Sequence, residues 1–410
     1  MAGLKSANRS EERLGIDRID TEGNALVDVR NLAVVAGNGL SVAFSNDLVL
    51  GTITEKLKNE LSAIAPNGDQ VLQALAKIAG RIEDDGSFDE GDFEQLVGAF
   101  ESQAALLEDL ADLTGLAGEG NTSLQASLLE VRGFAGDLLK KGTGIILKTI
   151  LDSAPTGWDA TAHMHPFFRQ ICHEYSGDIT FANLNYDSLV LSCLAMLGLP
   201  FCDLADPRRP AQIKFTDDEA GEVKVVGEYE GWSLRDALDF PFNKRIRLVH
   251  PHGSLTFWKD MNTGEVVKIP LNALRTHNIF TDLDVNSKNM IPAVVLANSR
   301  EKPRRVKEYP FDLAYKAMAH GLSTSDHWLI VGYSFRDESV NIELRNALSR
   351  KTVKPKILIS TFGDELTEEM VKDSIGWGTE HGPSVQNIYF DREGVEGLEQ
   401  RPSWKIFTSS

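Results

Sequence analysis

Residues Leu32–Ser41 read LAVVAGNGLS, and this stretch predicts the class of fold for the rest of the chain. Five apolar or small residues run directly into a turn that holds two glycines, an asparagine and a serine. An apolar, partly β-branched run of this length is typical of a buried strand. Gly37 and Gly39 lack a Cβ, so backbone amides there can approach a phosphate, and a following helix would add its positive N-terminal end. An ordinary strand-to-helix turn is the alternative interpretation.

The chain beyond this strand changes pattern twice. From about residue 53 to residue 151, Leu and Ala recur at helical spacing, for example in 71–82, 92–113 and 123–142. Short apolar strands then return, some with helical stretches between them, at 177–187, 244–254, 292–299, 327–335, 354–362 and 385–391. Strands that alternate with helices favour a parallel sheet with both faces covered. The sequence therefore predicts an α/β fold with a mostly parallel sheet and a large all-helical insertion after the first strand.

This pattern divides the chain into three predicted parts. Residues 1–30 form an N-terminal arm, 31–51 and 166–410 form the ligand-binding and catalytic domain, and 52–165 form the helical insertion. An insertion directly after the first strand is topologically simple, because the loop carries it outward from the sheet.

Composition limits the classes of function. The chain has 410 residues and a net charge of −18, so we expect no direct nucleic-acid binding outside the short basic run 303–307. No window approaches the roughly 18 apolar residues of a membrane span, and the N-terminus lacks the apolar core of a secretory signal. Three cysteines, an odd number, favour a reducing compartment. The predicted location is the cytoplasm.

Small polar residues follow the predicted strands. Ligands of an open parallel sheet bind beyond the carboxyl ends of its strands, so we expect these residues to share one site. Each group alone also suits a turn, and Ser334 or Asp337 suits a helix cap. The residues are Gly37, Asn38, Gly39 and Ser41; Asn185, Tyr186 and Asp187; His252; Asn298, Ser299 and Arg300; and Gly332, Ser334, Asp337 and Asn341. His250 also follows a predicted strand, but Pro251 interrupts the regular strand, so a structural role is expected for it.

This ordered set resembles the sirtuin superfamily, and more closely its bacterial branch of sirtuin-like NADases from antiphage systems. The matching pieces are GNGLS at 37–41, LNYD at 184–187, HGS at 252–254, GYSFRDESVN at 332–341, and a short FE motif at 93–94. The resemblance covers residues 31–41 and roughly 177–362. It implies a Rossmann-like, sirtuin-like domain that binds NAD as its substrate.

The resemblance also implies a role for each matched residue. Asn185 would orient the ribose and the attacking water, and His252 would be the base, which suits an imidazole near neutral pH. The diphosphate would lie on Gly37, Asn38, Gly39 and Ser41. Asp187 and the backbone of Tyr186 would hold the nicotinamide carboxamide. The adenosine half would be lined by Gly332, Ser334, Asp337 and Asn341.

Two departures separate the chain from the deacylase sirtuins. Those enzymes carry a zinc module with two C-x-x-C pairs, and this sequence has no C-x-x-C, so no zinc is expected. Their P-D-F-R element is replaced by VAFSNDLVLG. The histidines and cysteine at 163–173 fit no standard metal spacing. Water is therefore the expected acceptor, which gives nicotinamide and ADP-ribose.

The resemblance implies that the chain is the effector of an antiphage system that depletes NAD. It also implies a homo-oligomer and a separate protein partner, such as a HerA-type ATPase or, alternatively, a short Argonaute. The helical insertion would form the contacts between subunits and control the activity, because its apolar stripes need a surface to pack against. Two other functions stay open: an NAD-dependent deacylase or ADP-ribosyltransferase, and a non-catalytic module that binds NAD or ADP-ribose.

Overall fold

A computed structural model gives the structure of most of the chain. Residues 1–28 of the predicted arm, most of the predicted helix at 71–82, and Asn298 lie outside the described part. The described residues are 29–64, 69–70, 73–74, 76–77, 80, 92–116, 122–219, 222–276, 279–282, 289–297, 299–377 and 387–409.

The described strands form two sheets, one parallel and one antiparallel. In chain order they are β1 (Leu32–Ala36), β2 (Ile179–Asn183), β3 (Phe201–Cys202), β4 (Ala205–Glu219), β5 (Glu222–Leu234), β6 (Ile246–Val249), β7 (Gly253–Asp260), β8 (Val266–Lys268), β9 (Met290–Val294), β10 (His327–Val331), β11 (Lys356–Ser360) and β12 (Ile388–Asp391). The main sheet has the order β12-β11-β10-β1-β2-β6-β3, and its pairings are parallel. This confirms the predicted α/β class with a mostly parallel sheet.

The second sheet is antiparallel and was not predicted. Its order is β4-β5-β8-β7-β9, and its longest pairing is the hairpin of β4 and β5. The run 292–299 was expected to join the parallel sheet, and that expectation is wrong. Its strand, β9, pairs antiparallel with β7, which begins directly after His252. β4 escapes a sequence-based prediction because its residues, ADPRRPAQIKFTDDE, are mostly charged or polar.

Helices cover the main sheet and fill the segment between β1 and β2. The described α-helices are α1 (Asn38–Phe44), α2 (Leu50–Ile64), α3 (Phe93–Leu116), α4 (Thr122–Ser153), α5 (Trp158–Thr161), α6 (His165–Glu174), α7 (Leu189–Met196), α8 (Leu271–Thr276), α9 (Ile279–Asp282), α10 (Lys302–Arg305), α11 (Phe311–Thr324), α12 (Glu338–Arg350), α13 (Glu368–Ile375) and α14 (Pro402–Thr408). In the described residues between β1 and β2, the regular structure is helical, and α3 packs along α4.

Strand β1 lies at the centre of the main sheet and is buried on both faces. Leu32, Val34 and Ala36 belong to one apolar cluster, and the alternating Ala33 and Val35 belong to a second. Successive side chains of a strand point to opposite faces, so the two clusters are the two layers that cover the sheet. This double burial explains why β1 is apolar throughout.

The strand order reverses between β1 and β10. From β1 the chain continues through β2 and β6 on one side, and through β10, β11 and β12 on the other. The chain therefore continues from β1 toward one side of the sheet and from β10 toward the other. Ligands of open α/β sheets bind at this switch point.

Candidate active site

The loops after β1 and β10 are in backbone contact. The amide of Gly37 donates to the carbonyl of Val331 at 2.9 Å, and the amide of Gly39 donates to the carbonyl of Gly332 at 2.9 Å. A Cβ on Gly37 would lie 2.6 Å from the oxygen of Gly332, and one on Gly39 would lie 2.6 Å from its Cα. The two glycines therefore allow the loops to pack together. Their amides, which were expected to face a diphosphate, are occupied within the protein.

A cavity of about 460 Å³ lies beside this contact, within the size range of small-molecule sites. Nearly every predicted binding residue lines it: Gly37, Asn38, Gly39, Ser41, Asn185, Tyr186, Asp187, His252, Gly332, Ser334 and Asp337. Asn341 is not among the lining residues. The helical segment between β1 and β2 also contributes to the wall, through Leu50, Ile53, Asp92, Phe93, Glu94 and Ile150.

The loop after β2 is fixed to the loop after β1 by two side-chain contacts. Nδ2 of Asn185 donates to the carbonyl of Gly37 at 2.9 Å. Oγ of Ser41 donates to Oδ2 of Asp187, whose Oδ1 accepts the amide of Leu189 at 2.9 Å at the start of α7. Burial raises the pKa of Asp187, and the Ser41 hydroxyl opposes that shift. Asn185 and Asp187 are thus held rigidly at the cavity wall.

His252 is buried, and both of its ring nitrogens have partners. Nδ1 lies 3.2 Å from the carbonyl of Leu184, which can only accept, so Nδ1 carries a proton. Nε2 lies 2.9 Å from Oδ2 of Asp337 and 3.2 Å from the hydroxyl of Tyr315 on α11. Nε2 is therefore the nitrogen that can exchange a proton.

Asp337 connects His252 to a buried ion-pair network. Its Oδ2 lies 2.9 Å from Nζ of Lys302, and Nζ lies 3.0 Å from Oε2 of Glu94 on α3. Burial would lower the pKa of Lys302, but the carboxylates of Asp337 and Glu94 outweigh it and raise that pKa. Burial would raise the pKa of Asp337, but the charge of Lys302 opposes this, and the pKa lies well below its usual range. Both groups are charged at neutral pH.

The start of α3 adds further polar groups to the cavity. The hydroxyl of Tyr186 lies between the carboxylate of Glu94 and the carbonyl of Val295, 2.8 Å from the latter. Oδ1 of Asp92 accepts the amide of Glu94 at 2.8 Å, as an N-terminal helix cap does. Burial and the charge of Glu94 raise the pKa of Asp92 to about 6. Asp92 therefore titrates close to neutral pH inside the cavity.

The loop after β10 has an unusual backbone conformation. Gly332 and Phe335 both have φ of 59°, and this left-handed conformation is strained for a bulky side chain such as Phe. Asn341 stabilises the loop: its Nδ2 donates to the carbonyl of Phe335 at 2.8 Å, and its Oδ1 accepts the Tyr333 hydroxyl at 2.9 Å. Asn341 therefore supports the loop and does not line the cavity, whereas it was expected to line the adenosine half of the ligand. Exposed Ser334 remains at the cavity.

Four residues of this network were missing from the predicted site: Lys302, Tyr315, Asp92, and Glu94, which the FE motif included without a role. Lys302 and Tyr315 come from α10 and α11, which carry no motif, and Asp92 lies at a predicted helix start. The only signal for Lys302 was its place beside the basic run 303–307. His250, two residues before His252, lies outside the cavity lining; burial lowers its pKa to about 4.

Among the described residues, no group of three or more His, Cys, Asp or Glu side chains is placed to hold a metal ion. No helix in the part of the chain that the structure describes is long and apolar enough to cross a membrane. The sequence matches no protein-family model and no curated protein. The case for a function therefore depends on the geometry of the site and on the motifs.

Proposed function

We propose that the chain is an NAD glycohydrolase, which cleaves the bond between nicotinamide and ribose to give nicotinamide and ADP-ribose. The observation that carries the proposal is the meeting of Asn185 and His252 in one cavity at the switch point of the parallel sheet. A parallel α/β sheet binds dinucleotides at this place. The same two residues carry the resemblance to sirtuin-like NADases.

The charge of the cavity suits this reaction. Asp92, Glu94, Asp187 and Asp337 line it together with Lys302 as a buried cation. The nicotinamide of NAD is a cation, and the ribose gains positive charge as the bond breaks. Fixed carboxylates in a poorly screened site stabilise such a charge more than water does. The acidic wall therefore favours cleavage at the nicotinamide end.

The remaining residues fit the steps of hydrolysis. As the C1′–N1 bond breaks, its electron pair leaves with nicotinamide, and water forms the new bond to C1′. Nε2 of His252 accepts the proton that the water loses, while the Leu184 carbonyl keeps Nδ1 protonated. Asn185, fixed through its Nδ2 to Gly37, would orient the ribose and the water. Asp187, which accepts the Ser41 hydroxyl, and the backbone of Tyr186 would hold the carboxamide end.

The test measures NAD consumption by the purified chain and identifies the products by chromatography. We expect equal amounts of nicotinamide and ADP-ribose. Asn185→Ala and His252→Ala should each lower the rate by about 10²–10⁴-fold, the usual contribution of such groups. His320→Ala and Asn346→Ala, at exposed positions, are the matched controls and should keep the wild-type rate.

Other results would point to the alternative functions. ADP-ribose found attached to protein rather than free would indicate an ADP-ribosyltransferase. Release of an acyl group from an acyl-lysine peptide would indicate a deacylase. NAD that binds without turnover, with affinity unchanged in His252→Ala, would indicate a binding module and would contradict the proposal.

By the same resemblance, we propose that the enzyme acts as an antiphage effector in a homo-oligomer with a separate partner, such as a HerA-type ATPase. The helices between β1 and β2 support this extension, because they place Glu94 in the cavity wall and could therefore transmit an assembly signal. Bacterial cells that carry the gene with its genomic neighbour should lose NAD after phage infection. Cells that carry His252→Ala should not.

A further inference from the structure

We infer that Lys302 is a positioning residue for the proposed reaction: acting through Asp337, it determines whether Nε2 of His252 is free to accept a proton. This inference rests on the proposed function of the site. It concerns a residue outside the motifs, on the short helix α10, whose side chain is only 12% exposed.

As a base, His252 needs an unprotonated Nε2, but the neighbouring carboxylate favours a proton on that nitrogen. Nδ1 already carries a proton for the Leu184 carbonyl, so only Nε2 can act as the base. Yet Nε2 lies 2.9 Å from the carboxylate of Asp337. A carboxylate at this distance favours the protonated form of an imidazole unless another charge neutralises it. The nitrogen would then have no lone pair for the proton of the attacking water.

Lys302 provides the opposing charge. Its Nζ lies 2.9 Å from the same Oδ2 atom of Asp337, so it competes with Nε2 for that atom. The two nitrogens are separated by no more than twice this distance, and their repulsion disfavours a second positive charge on His252. Both side chains are nearly buried, so solvent and salt screen the repulsion weakly. Lys302 therefore weakens the hold of Asp337 on the proton at Nε2.

The other groups around His252 divide into neutral and charged ones. Burial raises the pKa of Tyr315 and of Tyr186 well above the ordinary value, so both phenols stay neutral. Glu94 lies on the far side of Lys302 and keeps it charged. Two other carboxyls of the cavity could also give rise to the acidic limb: the pKa of Asp92 is about 6, and burial raises the pKa of Asp187.

Removing the charge of Lys302 and removing the charge of Asp337 should shift the pH–rate profile in opposite directions. Lys302→Met should move the acidic limb of the pH–rate profile up by about one to two pH units, the effect of one unit charge at this range. Asp337→Asn should move the same limb down, because it removes the charge that holds the proton. Asn can still accept the amides of Ser339 and Val340 as the cap of α12, so this variant keeps the helix start.

The experiment uses the purified full chain and two readouts. One is the pH profile of NAD hydrolysis. The other is the titration of His252 followed by NMR of ¹³Cε1-labelled histidine, with its signal assigned by His252→Gln; this readout needs no substrate. Lys302→Arg keeps the positive charge and should therefore retain the wild-type pH profile of NAD hydrolysis. Lys307→Met, at a neighbouring exposed lysine, is the control and should leave both readouts unchanged.

The inference is overturned if Lys302→Met and Asp337→Asn shift the limb in the same direction, or if only KM changes. It is also overturned if Asp92→Asn or Asp187→Asn moves the acidic limb and the Lys302 and Asp337 variants do not. If Lys302→Met does not fold, the inference still requires that Asp337→Asn moves the acidic limb of the pH–rate profile to lower pH. If the wild-type chain does not hydrolyse NAD, the proposed function fails, while opposite shifts in the NMR titration would still support the link between Lys302 and His252.

Discussion

Replacing Gly332 with alanine tests the close contact between the loops after β1 and β10. Gly332 has φ of 59°, and a left-handed conformation costs an L-residue about 1–2 kcal/mol. The new Cβ would also lie 2.4 Å from the amide nitrogen of Leu40 and 2.5 Å from the carbonyl carbon of Gly39. These are backbone atoms, so the loops must separate, at a further cost of about 1–3 kcal/mol. The expected loss of folding stability is about 2–5 kcal/mol.

Urea unfolding followed by circular dichroism measures this loss. The matched control is Gly133→Ala on α4, where a Cβ meets no atom within 4 Å. That substitution should stabilise the helix by up to about 1 kcal/mol. Separation of the loops would also move the Gly37 carbonyl away from Asn185, so NAD turnover should fall. A Gly332→Ala protein as stable as the Gly133→Ala control would refute the loop contact.

Two further predictions concern pH and the loop that carries Asp337. Burial favours the neutral form of His250 in the folded state, so the unfolded state binds more protons between pH 6.5 and about 4. The contribution of His250 to the free energy of unfolding is therefore fully present above pH 6.5. It falls by about 3 kcal/mol as the pH drops toward 4. The raised pKa of Asp92 has the opposite effect on stability, so wild type must be compared with His250→Leu. The measurement is how steeply the urea midpoint changes with pH in each protein. Equal slopes would contradict the prediction for His250. Asn341→Ala leaves the Phe335 carbonyl and Tyr333 hydroxyl without this partner, so unfolding experiments should show a loss of about 1–3 kcal/mol; unchanged stability and activity would show that the loop needs no such support.

Much of the parallel sheet could be predicted because its signals are local. β1, β2, β10 and β11 are short apolar runs flanked by glycine or polar turns, and each is buried on both faces. A strand that is covered on both sides is apolar at most positions, so its own residues reveal it. The helical segment before β2 was visible for a similar reason, since its spacing repeats every few residues.

The antiparallel sheet could not be predicted in the same way. β4 is half-exposed and largely charged, and β8 has only three residues. Such strands are stabilised by pairing with partners far along the chain rather than by their own composition. The misassigned β9 shows the same limit: an apolar run indicates a strand, but it does not say which sheet the strand joins.

The sequence by itself determined which residues could form a site. Strand-end residues such as Asn185 and His252 were identifiable because parallel strands carry their polar groups to a common edge. Only the tertiary structure decided what each residue contacts. It assigned the two glycines to a contact between loops, and it placed Lys302 beside Asp337. Hydrogen bonds and ion pairs act over a few ångströms in space, but the residues that form them here lie far apart in the chain: Lys302 and Glu94 are 208 positions apart.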